Sequence, residues 1–175
     1  MTTQKLFRKI HHWGSFLISL PLIIMIGAGV LLMLKKEVEW IQPSSQKGIE
    51  RNSVPMASMQ DLFDAALSVD KAGFTSWEQL SRADLKPGNG IIKFVSATDW
   101  EVQVDTHTAE VLKVAQRRSD VIEAIHDGSY FADWVKLWVF LPAGIGLFVL
   151  WITGIYLFVV LELKKMKSRR KLAQQ

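Results

Sequence analysis

Glu123-Ala124-Ile125-His126-Asp127-Gly128, followed after a short aromatic stretch by the run Val135 to Leu161, decides the fold of this chain. The run is about 27 residues long, and Lys136 is its one charged residue. At ~1.5 Å per helical residue, roughly 20 apolar residues cross a bilayer. The run therefore reads as a transmembrane helix with a histidine just ahead of it. The N-terminus repeats this arrangement, with His11 and His12 before the apolar run Phe16 to Leu34. Two membrane helices, each led in by histidine, flank a mixed segment of about 100 residues.

The 175-residue length leaves room for one small domain beside the two spans. The net charge of +4 matters less than its distribution. Lys5, Arg8 and Lys9 precede the first run, and Lys164, Lys165, Lys167, Arg169, Arg170 and Lys171 follow the second. Glu162 is the one acid among these flanks, while Lys35 to Lys136 carries 12 basic and 16 acidic residues. Lys and Arg collect on the cytoplasmic side of membrane helices. Both termini are expected in the cytoplasm, with the middle segment on the outer side of the membrane. The basic tail reads as a topology anchor that also meets anionic lipid, not as a nucleic-acid patch. Residues 1–34 read as a retained signal anchor, because the apolar run exceeds the ~7–15 residues of a signal-peptide core. The absence of cysteine excludes disulfides, Cys-ligated zinc, iron–sulfur clusters and covalent c-type haem.

In chain order the expected organisation is a cytoplasmic lead 1–14, a span 15–34 and a juxtamembrane helix and linker 35–55. A small domain 56–118, an interfacial helix 119–133, a second span 134–161 and a basic tail 162–175 follow. Pro21 predicts a mild kink, and Gly27-Ala28-Gly29 a small-residue patch of the kind that lets helices approach. Lys35 to Pro43 reads as continuing helix, and the linker then runs to about Pro55. Ser58 with Asp61 forms a capping signature ahead of Leu62, Phe63, Ala66 and Leu67 at helical spacing. Gly73 ends that helix. Short strands are predicted over Phe74–Leu80, Ile91–Ala97, Trp100–Asp105 and Val111–Ala115. Alternation places Trp100, Val102 and Val104 on one face. The domain is thus one helix on a small antiparallel meander. Pro142, Gly144, Gly146 and Gly154 mark kinks and close-packing faces in the second span.

Arg8-x-x-His11 with Trp13-Gly14, Trp40-Ile41-Gln42-Pro43, and Trp100-x-Val102-x-Val104-Asp105 with Thr108-Ala109-Glu110-Val111 resemble the PepSY-associated transmembrane helix family. Arg118-Ser119-Asp120, Ile125-His126-Asp127-Gly128 and Trp151-x-Thr153-Gly154 resemble its closing part. Ala109 stands where the family's turn usually has glycine. The fold class this implies is membrane α-helical plus small α+β, with two transmembrane helices flanking a PepSY-like periplasmic domain. Larger relatives resemble inner-membrane reductases of siderophore-bound iron that carry b-type haem on membrane histidines. The resemblance implies a transmembrane electron-transfer subunit, with His11 and His126 at the family's helix-leading histidine positions as cofactor-binding and haem-iron ligands. His12 falls where relatives more often have a basic residue, and His107 matches nothing functional.

The local chemistry is compatible with this. Haem iron accepts neutral imidazole, often two per iron. His11 and His126 are expected on opposite membrane faces, about 30 Å apart, so one haem cannot bridge them. A homodimer with a two-fold axis along the membrane normal would pair each histidine with its copy, as would another membrane histidine donor. Asp127 can orient His126, and Arg8 can meet a haem propionate. The ordinary readings are interfacial histidines bonded to headgroups, and charges that set topology. No nucleophile elbow, phosphate loop, flavin or nicotinamide fingerprint is present. A redox role therefore needs a donor on one side and an acceptor on the other, such as a ferric siderophore or a periplasmic flavoprotein. The rival class is a non-redox, membrane-anchored PepSY binding or regulatory module, or an accessory subunit of a larger complex.

A reporter phosphatase fused after Asp105 should be active, as it is only outside the cytoplasm. An inactive fusion with normal expression would reverse the topology.

Overall fold

The computed structural model describes residues 3–172; residues 1–2 and the last three residues of the basic tail lie outside the described residues. Two units divide the chain. One holds residues 1–28 and 124–175, and the other residues 29–123.

The first unit is helical. Helix α1 runs Thr3–Met33 without a break, so the lead and the first span are one element with Pro21 inside it. Helix α5 covers Leu141–Leu172. Both are long and apolar enough to cross a membrane, and only 6% and 11% of their most apolar windows are buried by protein. Leu20 of α1 is 70% exposed and Phe158 of α5 67%. A helix apolar all round and left uncovered by protein needs lipid as its solvent.

The two helices pack antiparallel. Phe7 meets Tyr156 with ring centroids 5.0 Å apart. A Cβ at Gly14 would sit 3.4 Å from Leu150, and one at Gly146 3.4 Å from Ile18. Small residues therefore make the approach, as expected for helices that gain nothing by leaving lipid. In the expected patch on α1, Ala28 is buried at 7% exposure, while at Gly27 a Cβ would meet nothing within 4 Å.

Ahead of α5 stand the single turn α4, Asp133–Val135, and a π-helical turn, Lys136–Phe140. The Leu141 N–H bonds the Lys136 carbonyl. Pro142 explains this opening. It has no N–H for the Trp138 carbonyl, and its ring would crowd that group in a regular α-turn.

The second unit is a meander with one helix. Helix α2, Met59–Leu67, starts at a complete capping box between Ser58 and Asp61. Strands β1 Leu80–Lys86, β2 Ile91–Ser96, β3 Trp100–Asp105 and β4 Val111–Gln116 form one antiparallel sheet in chain order. Helix α3, Ser119–Asp127, follows. Phe94 faces Val102 and Ile92 faces Val104 across β2 and β3, and these side chains join Leu62, Phe63 and Ala66 of α2 in the core.

Two sequence expectations are corrected here. Phe74–Leu80 is not a strand; Trp77–Gln79 is a short 3₁₀ turn and the edge strand begins at Leu80. Its Ser81-Arg82-Ala83-Asp84 centre is polar, which conceals an edge strand. Lys35–Pro43 is not helix either. The ladder tightens to three-residue bonds at Leu34 and Lys35 and gives way to turns. Ile41 is 2% exposed, its carbonyl accepts from the Ser119 N–H at 2.8 Å, and Arg118 stacks on Trp40. Docking outweighs helix propensity here.

The expected linker is also docked. The opposite face of β2 and β3 carries Lys93, Glu101, Gln103 and Asp105, all buried at 1% exposure or less. Glu101 accepts from Lys93 at 2.9 Å, Gln103 at 2.7 Å and Arg117 at 2.9 Å. Gln103 also bonds the Ser44 carbonyl and the Gln46 N–H, which straps residues 44–46 to the sheet. Asp105 accepts from the N–H groups of Ile49, His107 and Thr108. Gly48 fits because a Cβ there would lie 2.3 Å from the Gly90 carbonyl oxygen.

Burial pushes the Asp105 carboxyl up, but its backbone N–H bonds outweigh this and hold it below the usual value. A folded-state value below the unfolded one adds stability at pH above the unfolded value, ~3.9. That stability is lost as pH falls through the folded value. Asp105→Ala should therefore destabilise the full chain by about 1–3 kcal/mol near neutrality. The gap between the melting curves of the two proteins should close only in acid; a constant gap would refute the assignment.

Candidate functional site

His126 is the next-to-last residue of α3. Its Nδ1 lies 2.7 Å from the Met25 carbonyl oxygen of α1. A carbonyl only accepts, so in the neutral ring Nδ1 carries the hydrogen and Nε2 keeps its lone pair. Nε2 makes no hydrogen bond among the described residues. The ring lines a cleft of about 500 Å³ whose walls include Met25, Phe140, Leu141, Ile145 and Phe148. A metal-ligating histidine is usually held in this way, its other ring N–H bonded to a carbonyl or carboxylate.

The rest of the His-Asp-Gly stretch shapes this corner. Asp127 accepts from the Lys136 ammonium and from the Ser129 hydroxyl and N–H. Burial pushes the Asp127 carboxyl up, but those donors outweigh it and hold the group at about 2. Asp127 is thus committed to Lys136 and Ser129 and does not orient the His126 ring. The Met25 carbonyl does that, and sequence alone did not point to it. Gly128 has φ +86°, and a Cβ there would lie 2.5 Å from the Phe140 ring. Its bare backbone lets the π-helical turn press Phe140 against the motif.

His11 has the same arrangement in weaker form. Its Nδ1 is 3.5 Å from the Thr153 hydroxyl. Thr153 gives its one hydroxyl hydrogen to the Leu150 carbonyl at 3.0 Å. With that hydrogen on Leu150, Thr153 accepts from His11 Nδ1 across a long 3.5 Å contact, which leaves Nε2 open. A Cβ at Gly154 would come within 3.7 Å of the ring. Thr153 and Gly154 therefore seat His11, which gives a physical role to the Trp-x-Thr-Gly stretch of the second span. His11 lines an apolar groove of about 670 Å³ with Leu22, Ile23, Ile26, Leu150 and Trp151.

The two histidines are not brought together. His126 meets α1 at Met25, about 14 residues beyond His11, which is roughly 21 Å along the axis at ~1.5 Å per residue. That is shorter than the expected full membrane thickness. Met25 lies well inside the apolar run, so His126 reaches the body of α1 and does not stop at its end. The other histidines stay apart from both. His12 packs edge-on against Trp13. His107 sits in the turn after β3 with Nε2 3.4 Å from the Glu50 carboxylate.

The donor set fits haem iron. Each ring offers one bare Nε2 beside an apolar cleft. Among the described residues no three His or carboxylate groups cluster to cage a free metal ion.

The model of the PepSY-associated TM region family matches residues 8–174. Comparison with curated proteins and with solved structures finds no match to the chain.

Gly128→Ala should lower the melting temperature of the detergent-solubilised chain, with a cost of about 1–3 kcal/mol from the left-handed backbone and more from the Phe140 contact. Gly27→Ala, with open space at its Cβ, should be neutral or stabilising. Equal effects would mean that Phe140 does not pack on the motif.

Proposed function

The chain belongs to the PepSY-associated TM region family and is a membrane protein, and from this premise we propose that it is a subunit for electron transfer across the bacterial inner membrane. The observation that carries the reading is the matched state of His11 and His126. Each commits Nδ1 to an acceptor on a membrane helix and leaves Nε2 bare at an apolar cleft.

His11 and His126 would each hold the iron of a b-type haem. A haem so held supplies a one-electron carrier inside the apolar layer. The protein's own part is orientation and exclusion of water. The Met25 carbonyl fixes the His126 ring, and Thr153 fixes the His11 ring. Phe140 and Phe148 wall one cleft, while Leu150 and Trp151 wall the other. Asp127 keeps the Lys136 ammonium beside the first cleft without reaching the imidazole.

One chain offers one imidazole at each level. An iron held by two histidines would then need a second copy or another membrane histidine donor. A homodimer about an axis normal to the membrane supplies both levels at once, in a four-helix arrangement that can house cofactors. With both termini in the cytoplasm the sheet domain lies outside, where a ferric siderophore or a flavoprotein would be the acceptor. The non-redox alternative puts function on exposed strand faces; β2 and β3 are covered on both faces, while the outer strands β1 and β4 stay partly exposed.

Chain purified in detergent after expression with ample haem should show a sharp b-type α band in its reduced-minus-oxidised spectrum. His11→Ala and His126→Ala should each remove about half of the band, as two levels require. A folded, monodisperse and colourless protein would overturn the reading and leave the anchored binding module.

A further inference from the structure

Lys5, Arg8, Lys9 and His12 recur on α1 at spacings of three and four residues and so share one helix face. With His11, Trp13 and Leu157 they line a pocket of about 530 Å³. His11 also lines the apolar groove that runs toward Ile26. One imidazole thus stands at the junction of a cationic pocket and an apolar one.

Helix stability does not account for the stripe. Like charges at this spacing repel, and cations in the first turns oppose the helix dipole. The first turn of α1 has no acid. Glu162, the acid at the far end of α5, is paired with Lys165 at 2.7 Å. Among the described residues Lys5, Arg8 and Lys9 have no ion-pair partner. At the His126 cleft, by contrast, Asp127 already engages Lys136. Topology requires positive charge on this side, but it does not require the charges to be cupped around a histidine.

The chemistry that fits is a flat apolar body with two carboxylates on one edge. Resting on the haem reading above, we propose that Lys5, Arg8 and Lys9, with His12, receive the propionates of the haem held at His11. The carboxylate edge then faces the start of α1 and the apolar edge faces Ile23 and Ile26. Charge-assisted hydrogen bonds from Arg8 and the two ammonium groups hold it at the rim, where water still reaches them. Among the described residues, Lys136 is the one cation lining the His126 cleft and it is paired with Asp127, so the two levels would differ in how they hold the same molecule.

The test uses full-length His126→Gln protein, checked to be folded and monodisperse. Its side-chain amide can still donate to the Met25 carbonyl but offers iron no imidazole, so that the His11 level alone binds. It is titrated with haem and with haem dimethyl ester and read by absorbance. Haem should bind about tenfold more tightly than the ester. Lys5→Gln, Arg8→Gln and Lys9→Gln together should erase that preference while the ester's own affinity stays put. Equal binding of acid and ester before those changes overturns the assignment and leaves the His11 haem standing. A preference that survives the triple change overturns it too, since other groups then hold the carboxylates. Doping the micelles with phosphatidylglycerol tests the rival oxyanion. Unchanged haem affinity supports the assignment, and a large fall gives the pocket to a lipid phosphate instead. Uptake of neither porphyrin overturns the haem reading and this assignment with it.

Discussion

The hydrogen bond from His126 to the Met25 carbonyl is the constraint on which the membrane unit depends. A main-chain carbonyl in a helix already accepts one bond, and its second lone pair is seldom used in lipid. Here that lone pair takes an imidazole N–H. The bond ties the end of α3 to the middle of α1. It also decides which ring nitrogen is free. The neighbouring features follow from holding the bond in place. Gly128 must turn with positive φ and no Cβ, the π-helical turn must bring Phe140 over it, and Pro142 makes that turn the easiest route into α5. His11 repeats the principle with a side-chain acceptor, Thr153, which holds its ring less tightly.

The sheet unit rests on a different constraint, a buried carboxylate. Glu101 has lost its water, and an uncompensated buried charge costs several kcal/mol, on the order of 3–5. Lys93, Gln103 and Arg117 surround it, and Arg117 passes the charge on to Asp120, which Arg82 also meets at 2.7 Å. Burial alone would pull the Arg117 guanidinium down, but Asp120 and Glu101 outweigh it and hold it charged. This network gives the second sheet face a binding partner within the chain. It is why residues 44–52 lie along the sheet, and on that face Ile91 and Val95 are buried with the polar network.

The legible parts of the sequence were those whose pattern is local. The two spans declare themselves by length and apolarity, and α2 by Ser58, Asp61 and its apolar spacing. Strands β2 and β3 show as alternation. The docked strap was not legible, because Ser44, Gln46 and Gly48 are the residue types of any loop and their partners lie about 60 positions away. Edge strand β1 was hidden by polar residues suited to an edge. Lys35 to Ile41 has helical composition, but Trp40 and Ile41 gain more from Arg118 and Ser119 than a further helical turn would give. At the site, His11 and His126 stood out as histidines beside apolar runs. Met25, Thr153 and Gly154 could not, since a carbonyl has no sequence signature and a threonine in a span is ordinary. Asp127 was the natural candidate to orient His126 by adjacency, yet adjacent residues on a helix point about 100° apart, and it turns to Lys136 instead.

A bare imidazole nitrogen is inexpensive in water and costly in hydrocarbon. An acceptor left without a partner in an apolar layer costs roughly 1–3 kcal/mol. A chain that wanted only a structural histidine at Met25 could use a residue with no second nitrogen to satisfy. This one keeps a second nitrogen at both levels, beside clefts walled by Phe140 and Phe148 at one and by Leu150 and Trp151 at the other. On the proposed reading, a flat, apolar, metal-bearing ligand shared with a second imidazole would satisfy both nitrogens together. The antiparallel pair α1 and α5 presents both levels along one helix, so a single two-fold axis normal to the membrane can complete both. A partner that satisfied only one would leave the other nitrogen unpaired in the apolar layer.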